Sequence, residues 1–266
     1  MLRAKKTLGQ NFLNSKSIAR DIVRAGELAV KDTVLEIGPG KGFLTAELLA
    51  SGAHVIAVEK DMRLIPFLAE KFAAEIRAGC FTLIEGDILE IFETLDLPLP
   101  PSYKLIANIP YYITGQILRT FLEAKHRPER IILMVQKEIA DRIIARDHKE
   151  SILSLSVKAY GTPHLIKKVP ARYFTPKPKV DSAVLAIKEI SGRNFEDKKT
   201  EQKFFSLIKA GFAHKRKKLS GNLKELLGKE VLNILHATNI SPDARAEDVP
   251  FDKWFLLSKA MRLIGD

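Results

Sequence analysis

Cysteine is nearly absent from the sequence, and long hydrophobic runs are lacking. Cys80 is the only cysteine among the 266 residues, which excludes an intramolecular disulfide framework and a zinc site built on several thiolates. A lone thiol is typical of a reducing compartment, so we expect a cytoplasmic protein. The longest apolar runs, such as Ile131–Val135, are strand-sized, whereas a membrane helix needs about 20 residues. No membrane span is therefore expected, and because the histidines show no ligand spacing, no metal site is expected either.

Positive charge is in excess. Lys and Arg together number 43, Asp and Glu number 32, and the formal net charge is +11. Hydrophobic residues make up 46% and charged residues 28% of the chain, which is close to the globular average and excludes a disordered protein. The charge balance predicts a polyanionic partner, with nucleic acid as the first candidate.

Strand and helix patterns alternate from Thr33 to about Gln136. Buried β-branched runs separated by segments with helical spacing predict an α/β fold, a Rossmann-like parallel sheet with helices on both faces. Two later strands have no long helix between them, which predicts an antiparallel edge. The predicted strands are Thr33–Ile37, His54–Val58, Cys80–Ile84, Tyr103–Ala107, Arg130–Val135, His164–Val169 and Val180–Ile187.

Only helical patterns follow a polar linker, Ser191–Asp197. We therefore predict two domains, an α/β domain over residues 1–189 and a small all-helical domain over residues 190–266. The predicted helices of the second domain are Gln202–Phe212, Asn222–Leu227, Lys229–His236 and Asp252–Ile264.

A glycine turn joins the first predicted strand to the helix that follows it. Gly38 and Gly40 belong to this turn, which predicts close approach of a ligand to the backbone. Glu59 ends the second strand, where its carboxylate can accept both hydroxyls of a ribose. These residues predict a nucleoside-binding site, although the glycines alone are also compatible with an ordinary tight turn.

Two departures from the dinucleotide fingerprint favour S-adenosylmethionine over NAD as the cofactor. Bulky Phe43 stands where the third glycine of G-x-G-x-x-G is expected. Glu36 lies at the strand end, where an acid suits the ammonium group of an amino-acid tail and repels a pyrophosphate. Asp87, after the third strand, is a candidate acceptor for the adenine amine, with a solvated acidic turn as the alternative.

The fourth predicted strand ends in Asn108-Ile109-Pro110-Tyr111. The side-chain oxygen of Asn108 and the carbonyl of Ile109 can accept the two N–H groups of an exocyclic base amine. Pro110 stiffens the turn because its φ angle is fixed, and Tyr111 offers a face on which an unstacked base can lie. Methyl transfer from a sulfonium then depends mainly on positioning.

Taken together and in order, the motifs resemble those of the small-subunit ribosomal RNA adenine N6,N6-dimethyltransferases, which are similar to the Erm methylases. The sequence departs from the commoner family pattern at Ile109, in place of leucine, and at Tyr112, in place of asparagine. The basic segment at residues 215–218 reads Lys-Arg-Lys-Lys, where a pair of arginines is more usual. The motifs that carry the resemblance are Leu8–Leu13, Leu35–Gly42, Val58–Glu59, Glu85–Asp87, Asn108–Tyr111, Phe174–Val184, Phe212–Leu219 and Asn222–Leu223.

The resemblance implies a class I methyltransferase domain followed by a helical domain that binds RNA or the ribosome. It implies that Tyr111 and Phe174 sandwich the target adenine beside Asn108. It also implies that the product is dimethyladenosine at two adjacent adenines near the 3′ end of small-subunit rRNA and that the partner is the immature small ribosomal subunit. We further expect the protein to act as a monomer. The methyl-donor site it implies consists of Asn11, Leu13, Gly38, Glu59, Asp87 and Asn108.

Three basic stretches, residues 1–20, 158–180 and 214–218, are candidates for contact with the phosphate backbone. Taken singly, each is better explained as a solvated surface, whereas three such stretches beside a base-modifying pocket favour contact with RNA. The RNA-binding candidates are Lys5, Lys6, Lys215, Arg216, Lys217 and Lys218.

Three other functions remain open from the residues. They are an Erm-like methylase of large-subunit rRNA, a non-catalytic ribosome-assembly factor on the same scaffold, and an NAD-dependent oxidoreductase. The glycine spacing disfavours the oxidoreductase, and the presence of Asn108 and Glu59 disfavours a non-catalytic factor.

Overall fold

The computed structural model describes residues 4–93 and 97–261, which fall into two compact units. The first unit is the chain up to Ala140 together with Thr162–Ile190, and the second is Asp141–Gly161 together with the chain from Ser191 onward. The long stretch of the second unit begins at Ser191, one residue after the predicted start of the second domain.

The segment Asp141–Gly161 differs from the prediction, which placed it in the first domain. Its helix, Ile152–Lys158, contacts the helix Lys198–Gly211, and Lys149 forms an ion pair with Glu247. The sequence did not reveal this grouping because the segment is distant along the chain from its packing partners.

The described residues contain nine strands, of which seven match a predicted strand with most bounds differing by one or two residues. In chain order they are β1 (Phe12–Leu13), β2 (Thr33–Ile37), β3 (His54–Glu59), β4 (Phe81–Glu85), β5 (Lys104–Asn108), β6 (Arg130–Gln136), β7 (Thr162–Val169), β8 (Phe174–Thr175) and β9 (Ser182–Lys188). The α-helices are α1 (Lys16–Ala25), α2 (Phe43–Ala50), α3 (Ile65–Lys71), α4 (Ala73–Arg77), α5 (Ile88–Glu93), α6 (Thr114–Glu123), α7 (Lys137–Ile143), α8 (Ile152–Lys158), α9 (Lys198–Gly211), α10 (Leu219–Leu227), α11 (Val231–Ala237) and α12 (Phe251–Ala260).

Seven of these strands form one sheet in the order β4-β3-β2-β5-β6-β9-β7. Strands β2 to β6 pair in parallel, whereas β9 pairs antiparallel with both β6 and β7. The Rossmann-like α/β class and its antiparallel edge are thereby confirmed. The chain leaves β2 toward β3 and later returns to β5 on the other side of β2. Strand order therefore reverses at β2, and a crevice opens there at the carboxyl ends of the strands.

The sheet is buried on both faces, which explains why its strands read as continuous apolar runs. Leu35, Ile106, Ile132 and Leu133 are each 0% exposed. On one face α1 packs against α2, so the first helix lies beside the helix that follows the glycine turn.

Strands β1 and β8 form a separate two-stranded sheet. Leu13 pairs with Phe174, and Phe12 pairs with Thr175. The pairing fixes a segment near the start of the chain to one far along it. Strands of two residues carry no readable pattern, so the sequence did not predict this sheet.

The second unit is a helical assembly around aromatic side chains. Asp197 accepts a hydrogen bond from the N–H of Thr200 and so caps α9. Phe204 of α9 and Trp254 of α12 are both fully buried. No helix in residues 4–93 and 97–261 is long and apolar enough to cross a membrane.

Candidate active site

A cavity of about 460 Å³ opens at the carboxyl ends of β2, β3, β4 and β5. The N-terminal segment, defined here as Leu8–Leu13, supplies a further wall. The structure brings together every residue that the sequence predicted to contact a cofactor. Those lining residues are Asn11, Leu13, Gly38, Gly40, Glu59, Asp87 and Asn108. Their contact with a cofactor stays a prediction, although their convergence on one cavity supports it.

The glycine turn, defined here as residues 38–42, forms the floor of the cavity after β2. Gly38, Gly40 and Gly42 have φ angles of 65°, 58° and 71°, in the left-handed region that side chains disfavour. A Cβ atom at Gly40 would also lie 2.9 Å from the ring of Phe12. The turn therefore requires glycine for both conformation and space, which leaves its backbone open toward the cavity.

Glu59 holds this turn from the end of β3. Its Oε2 accepts a hydrogen bond from the N–H of Gly40 at 3.0 Å, and its Oε1 accepts one from the N–H of Asp61 at 2.8 Å. Burial raises the pKa of Glu59, while the two amides act in the opposite direction. Each carboxylate oxygen has capacity for a second hydrogen bond, so the fixed carboxylate can still accept the hydroxyl groups of a ligand.

Glu36 lies in β2, lines the cavity and is 1% exposed. The hydroxyl of Thr45, on α2, donates to its Oε2 at 2.7 Å. Burial raises the pKa of Glu36 to about 8, opposed by the Thr45 hydrogen bond and assisted by the nearby charge of Glu59. The carboxyl group therefore favours its neutral form at neutral pH, and a cation entering the cavity would favour its ionised form.

Asp87 follows β4 and is fixed on two sides. Its Oδ1 accepts from the N–H of Leu89 at 3.0 Å, and its Oδ2 forms an ion pair with Lys60. Partial desolvation works against ionisation of Asp87, but the Lys60 ammonium and the Leu89 amide hold its pKa below the usual value. The carboxylate is therefore ionised and available at the cavity wall.

Gln10, which lines the cavity, contacts Asp61, which does not, and the sequence did not predict this contact. The side-chain N–H of Gln10 donates to Oδ2 of Asp61 at 2.8 Å. The Arg63 guanidinium holds the pKa of Asp61 at about 2. The contact fastens the N-terminal segment to the chain just after β3. The only hint of this contact in the sequence was that Asp61 lies two residues after Glu59, because Gln10 is distant along the chain.

The corner after β5, residues 108–111, forms the opposite end of the cavity. Nδ2 of Asn108 donates to the carbonyl of Asn11 at 3.3 Å, which orients the amide and assigns its Oδ1 the acceptor role. The hydroxyls of Tyr111 and Ser182 share a hydrogen bond of 2.6 Å. The carbonyl of Pro110 accepts from the N–H of Ile113 at 3.2 Å, which closes the turn. The corner is thus held rigid by uncharged groups.

Phe174 does not line the cavity. Its side chain is 3% exposed and packs in the apolar core with Leu13, opposite which it pairs in the β1–β8 sheet. In this arrangement Phe174 supports the wall that Phe12 and Leu13 present to the cavity. Its predicted contact with the target adenine stays a prediction.

The basic candidates whose side chains are described lie on the surface of the units to which they belong. In the first unit Lys5 is exposed, while the side chain of Lys6 is outside the described residues. In the second unit the exposed stretch between α9 and α10 is held at its base by Asn222, whose Nδ2 donates to the carbonyls of Gly211 and His214. The exposed residues of that stretch are Lys215, Arg216, Lys217 and Lys218.

Known proteins are similar to this chain in sequence and in fold. Residues 1–262 match the family model described as ribosomal RNA adenine dimethylase. A protein of Dehalococcoides mccartyi (strain CBDB1) named ribosomal RNA small subunit methyltransferase A is 43% identical over 256 residues, covering 95% of this chain and 87% of its own. A protein of the same name from Thermosynechococcus vestitus is 42% identical, with 98% of each chain covered.

Among solved structures, the 23S rRNA methyltransferase ErmE superposes with a TM-score of 0.79 at 26% identity, covering 95% of this chain and all of its own. A dimethyladenosine transferase from Plasmodium falciparum gives a TM-score of 0.76 at 24% identity, covering 96% of this chain and 98% of its own, which bears on the fold alone. Since the family model spans nearly the whole chain and close relatives exceed 40% identity over it, the chain belongs to the ribosomal RNA adenine dimethylase family.

Proposed function

We propose that the protein transfers methyl groups from S-adenosylmethionine to N6 of two adjacent adenines near the 3′ end of small-subunit rRNA. The observation that carries this function is the position of Asn108, whose amide is oriented by Asn11 at the edge of a cavity lined by carboxylates. Membership of the rRNA adenine dimethylase family, and relatives named small subunit methyltransferase A, support the same substrate.

The residues of the cavity fit a cationic nucleoside. Glu36, Glu59 and Asp87 line it, so its wall favours positive charge and disfavours a pyrophosphate. When bound, S-adenosylmethionine supplies an electrophilic methyl group on a sulfonium. Glu59 would hold the ribose hydroxyls, Asp87 the adenine amine and Glu36 the amino-acid end.

The corner after β5 orients the amine that is methylated. The Oδ1 of Asn108 and the carbonyl of Ile109 accept its two N–H groups, which fixes the nitrogen and favours its tetrahedral geometry. Tyr111 supplies a flat face for the unstacked adenine. A neutral amide avoids the cost of burying an unpaired charge, and positioning then supplies most of the rate enhancement.

Basic surfaces on both units support RNA as the partner. We propose that Lys5, Lys6 and the stretch from Lys215 to Lys218 contact phosphates, so that affinity falls as salt concentration rises. We also propose that the protein acts as a monomer in the cytoplasm on the immature small subunit. Sedimentation of the free protein and of its mixture with immature subunits tests the monomeric state and the binding to the subunit.

A second candidate function is methylation of large-subunit rRNA, which the structural similarity to ErmE favours. The decisive experiment incubates the protein with labelled S-adenosylmethionine and undermethylated small subunits, and maps the modified nucleotides. Large subunits in a parallel reaction serve as the matched control. We expect two adjacent dimethyladenosines in the small subunit and no label in the large one. Label confined to the large subunit would establish the second candidate, and binding without any label would establish a non-catalytic factor.

A further inference from the structure

Lys71, the last residue of α3, contacts the glycine turn. Its Nζ donates hydrogen bonds to the carbonyl of Lys41 at 2.6 Å and to that of Gly42 at 3.3 Å. Both carbonyls belong to the turn whose residues Gly38 and Gly40 line the cavity. Lys71 does not itself line that cavity, so it acts on the turn without reaching a ligand.

Three aromatic rings surround the ammonium group of Lys71. The Nζ atom lies 5.8 Å from the ring centroids of Phe43 and Phe67 and 5.0 Å from that of Phe72. These distances are within the range of cation–π attraction. The rings and the two carbonyls together fix the ammonium group at one point. Desolvation lowers the pKa of Lys71, and Glu36 in its ionised form acts in the opposite direction.

The residue after Lys71 also contacts the turn. A Cβ atom at Gly42 would lie 2.5 Å from the ring of Phe72, so this ring packs directly on the backbone of the turn. Phe12 of β1 packs similarly at Gly40, and the ammonium of Lys41 lies 5.2 Å from the Phe12 ring centroid. The glycine turn is therefore held by β1 through Phe12 and by the end of α3 through Lys71 and Phe72.

A turn with three glycines has a large conformational freedom to lose when it binds a ligand. Contacts that order the turn beforehand reduce that loss and so raise affinity. We propose that Lys71 is a positioning residue for the methyl donor, which holds the carbonyls of Lys41 and Gly42 and so keeps the glycine turn in its binding conformation. This inference rests on the proposed function, since it takes the donor to be S-adenosylmethionine.

The test compares Lys71→Met, which keeps the length of the side chain but removes the ammonium, with Lys71→Arg, which keeps the charge and the N–H donors. Lys125→Met is the matched control, because Lys125 is an exposed lysine of the same unit. Calorimetry gives the Kd for S-adenosylmethionine, steady-state assays on undermethylated small subunits give kcat and KM, and thermal unfolding gives Tm.

We expect Lys71→Met to raise the Kd and the KM for the methyl donor about tenfold, in line with the loss of charged hydrogen bonds. At saturating donor kcat should stay within about twofold of the wild type, because the residues that hold the adenine are intact. Lys71→Arg should restore most of the affinity, and Lys125→Met should match the wild type.

Two results would overturn the inference. One is an unchanged donor Kd in Lys71→Met. The other is a loss in kcat and Tm that Lys71→Arg does not restore, which would assign Lys71 to general stability. The wild-type titration separates these results from failure of the proposed function, since a wild-type protein that binds no S-adenosylmethionine contradicts that function whatever the Lys71 variants do.

Discussion

The two ends of the cavity are built from different chemistry. Carboxylates line the end formed by β2, β3 and β4, where Glu36, Glu59 and Asp87 face a common space. The end formed after β5 offers an amide, peptide carbonyls and the ring of Tyr111. Charge suits the binding of a cation, whereas oriented neutral dipoles suit a neutral amine that becomes positive only as it reacts. Changes at the acidic end should therefore alter donor affinity, and changes at the neutral end should alter kcat.

Asn108→Ala should have the largest effect, because it removes an acceptor for the reacting amine. We expect kcat to fall at least about 10²–10³-fold, comparable to the loss of one oriented group in other active sites. RNA affinity should stay near that of the wild type. Single-turnover methylation measures the first quantity and filter binding the second.

If Asn108→Ala kept the wild-type turnover and weakened donor binding instead, the assignment of the neutral end to the chemical step would be contradicted. Asn233→Ala is a suitable control, since Asn233 is an exposed asparagine of the second unit. Unaltered turnover in Asn108→Ala would also eliminate the mechanism proposed for the corner after β5.

Glu59→Gln should weaken donor binding by about 10–100-fold, the range expected when a charged hydrogen bond is lost. The amide NH₂ of glutamine would face the N–H of either Gly40 or Asp61, both of which now donate to the carboxylate. The turn would lose a contact as well as the ligand acceptor. Calorimetry gives the donor Kd, and assays at saturating donor should show kcat within a few-fold of the wild type.

Glu75→Gln provides the control for this substitution, because Glu75 is half-buried on α4 of the same unit and does not line the cavity. A Glu59→Gln protein with wild-type donor affinity but low kcat would contradict the assignment of the acidic end to binding. It would place Glu59 in the chemical step instead.

The sequence predicted most of the difference between the acidic and the neutral end of the cavity, because each residue involved lies at the end of a strand that a short local pattern marks. Glu36 and Glu59 lie at the ends of strands, and the structure places both strands within a residue of their predicted bounds. Asn108 ends β5 in the same way. Parallel strands bring their carboxyl ends to one edge of the sheet, so three separate local patterns predict one shared cavity.

What the sequence could not predict depends on contacts between distant residues. The Gln10–Asp61 hydrogen bond, the Thr45–Glu36 hydrogen bond and the aromatic rings around Lys71 have no local pattern. Phe174 illustrates the same limit, since its burial follows from pairing with Leu13. The grouping of α8 with the second unit also depends on distant packing partners, and helix α1 was not predicted at all.

Donor affinity should depend on pH through Glu36. Burial raises its pKa to about 8, so near pH 7 the free protein carries mainly the neutral acid. A bound cation favours the carboxylate, and binding near pH 7 should therefore release a proton. Affinity should rise with pH by up to about tenfold per unit and level off above about pH 8. Titration calorimetry in buffers of different ionisation enthalpy measures the released proton.

Glu59 also has a raised pKa and would release a proton in the same way. The Glu36→Gln variant therefore separates the contribution of Glu36 to proton release from that of Glu59. The side-chain carbonyl of the new glutamine can still accept from Thr45, but the glutamine carries no titratable proton. In the unliganded protein, Glu36 lowers the free energy of unfolding as pH rises from about 4.5 to about 8. The reason is that its carboxyl group ionises in the unfolded chain at a lower pH than in the folded protein. The glutamine variant should therefore gain thermal stability relative to the wild type over that range. If the wild type and Glu36→Gln released the same number of protons on donor binding, Glu36 would not be the group that ionises when the donor binds.

Tyr111→Phe should have the smallest effect, because it removes one hydrogen bond while keeping the ring. The hydroxyl is bonded to Ser182, and such a bond contributes about 1 kcal/mol. We expect kcat/KM for the RNA substrate to fall no more than about fivefold, with donor Kd unchanged. Ser182→Ala should give a similar loss, and the double variant should lose little more than either alone, since both remove the same bond. Tyr111→Ala should lose far more, because the surface on which the adenine stacks is gone. A Tyr111→Phe loss as large as that of Tyr111→Ala would mean that the neutral end acts through the phenol group, and the contrast between a charged binding end and a neutral orienting end would no longer hold.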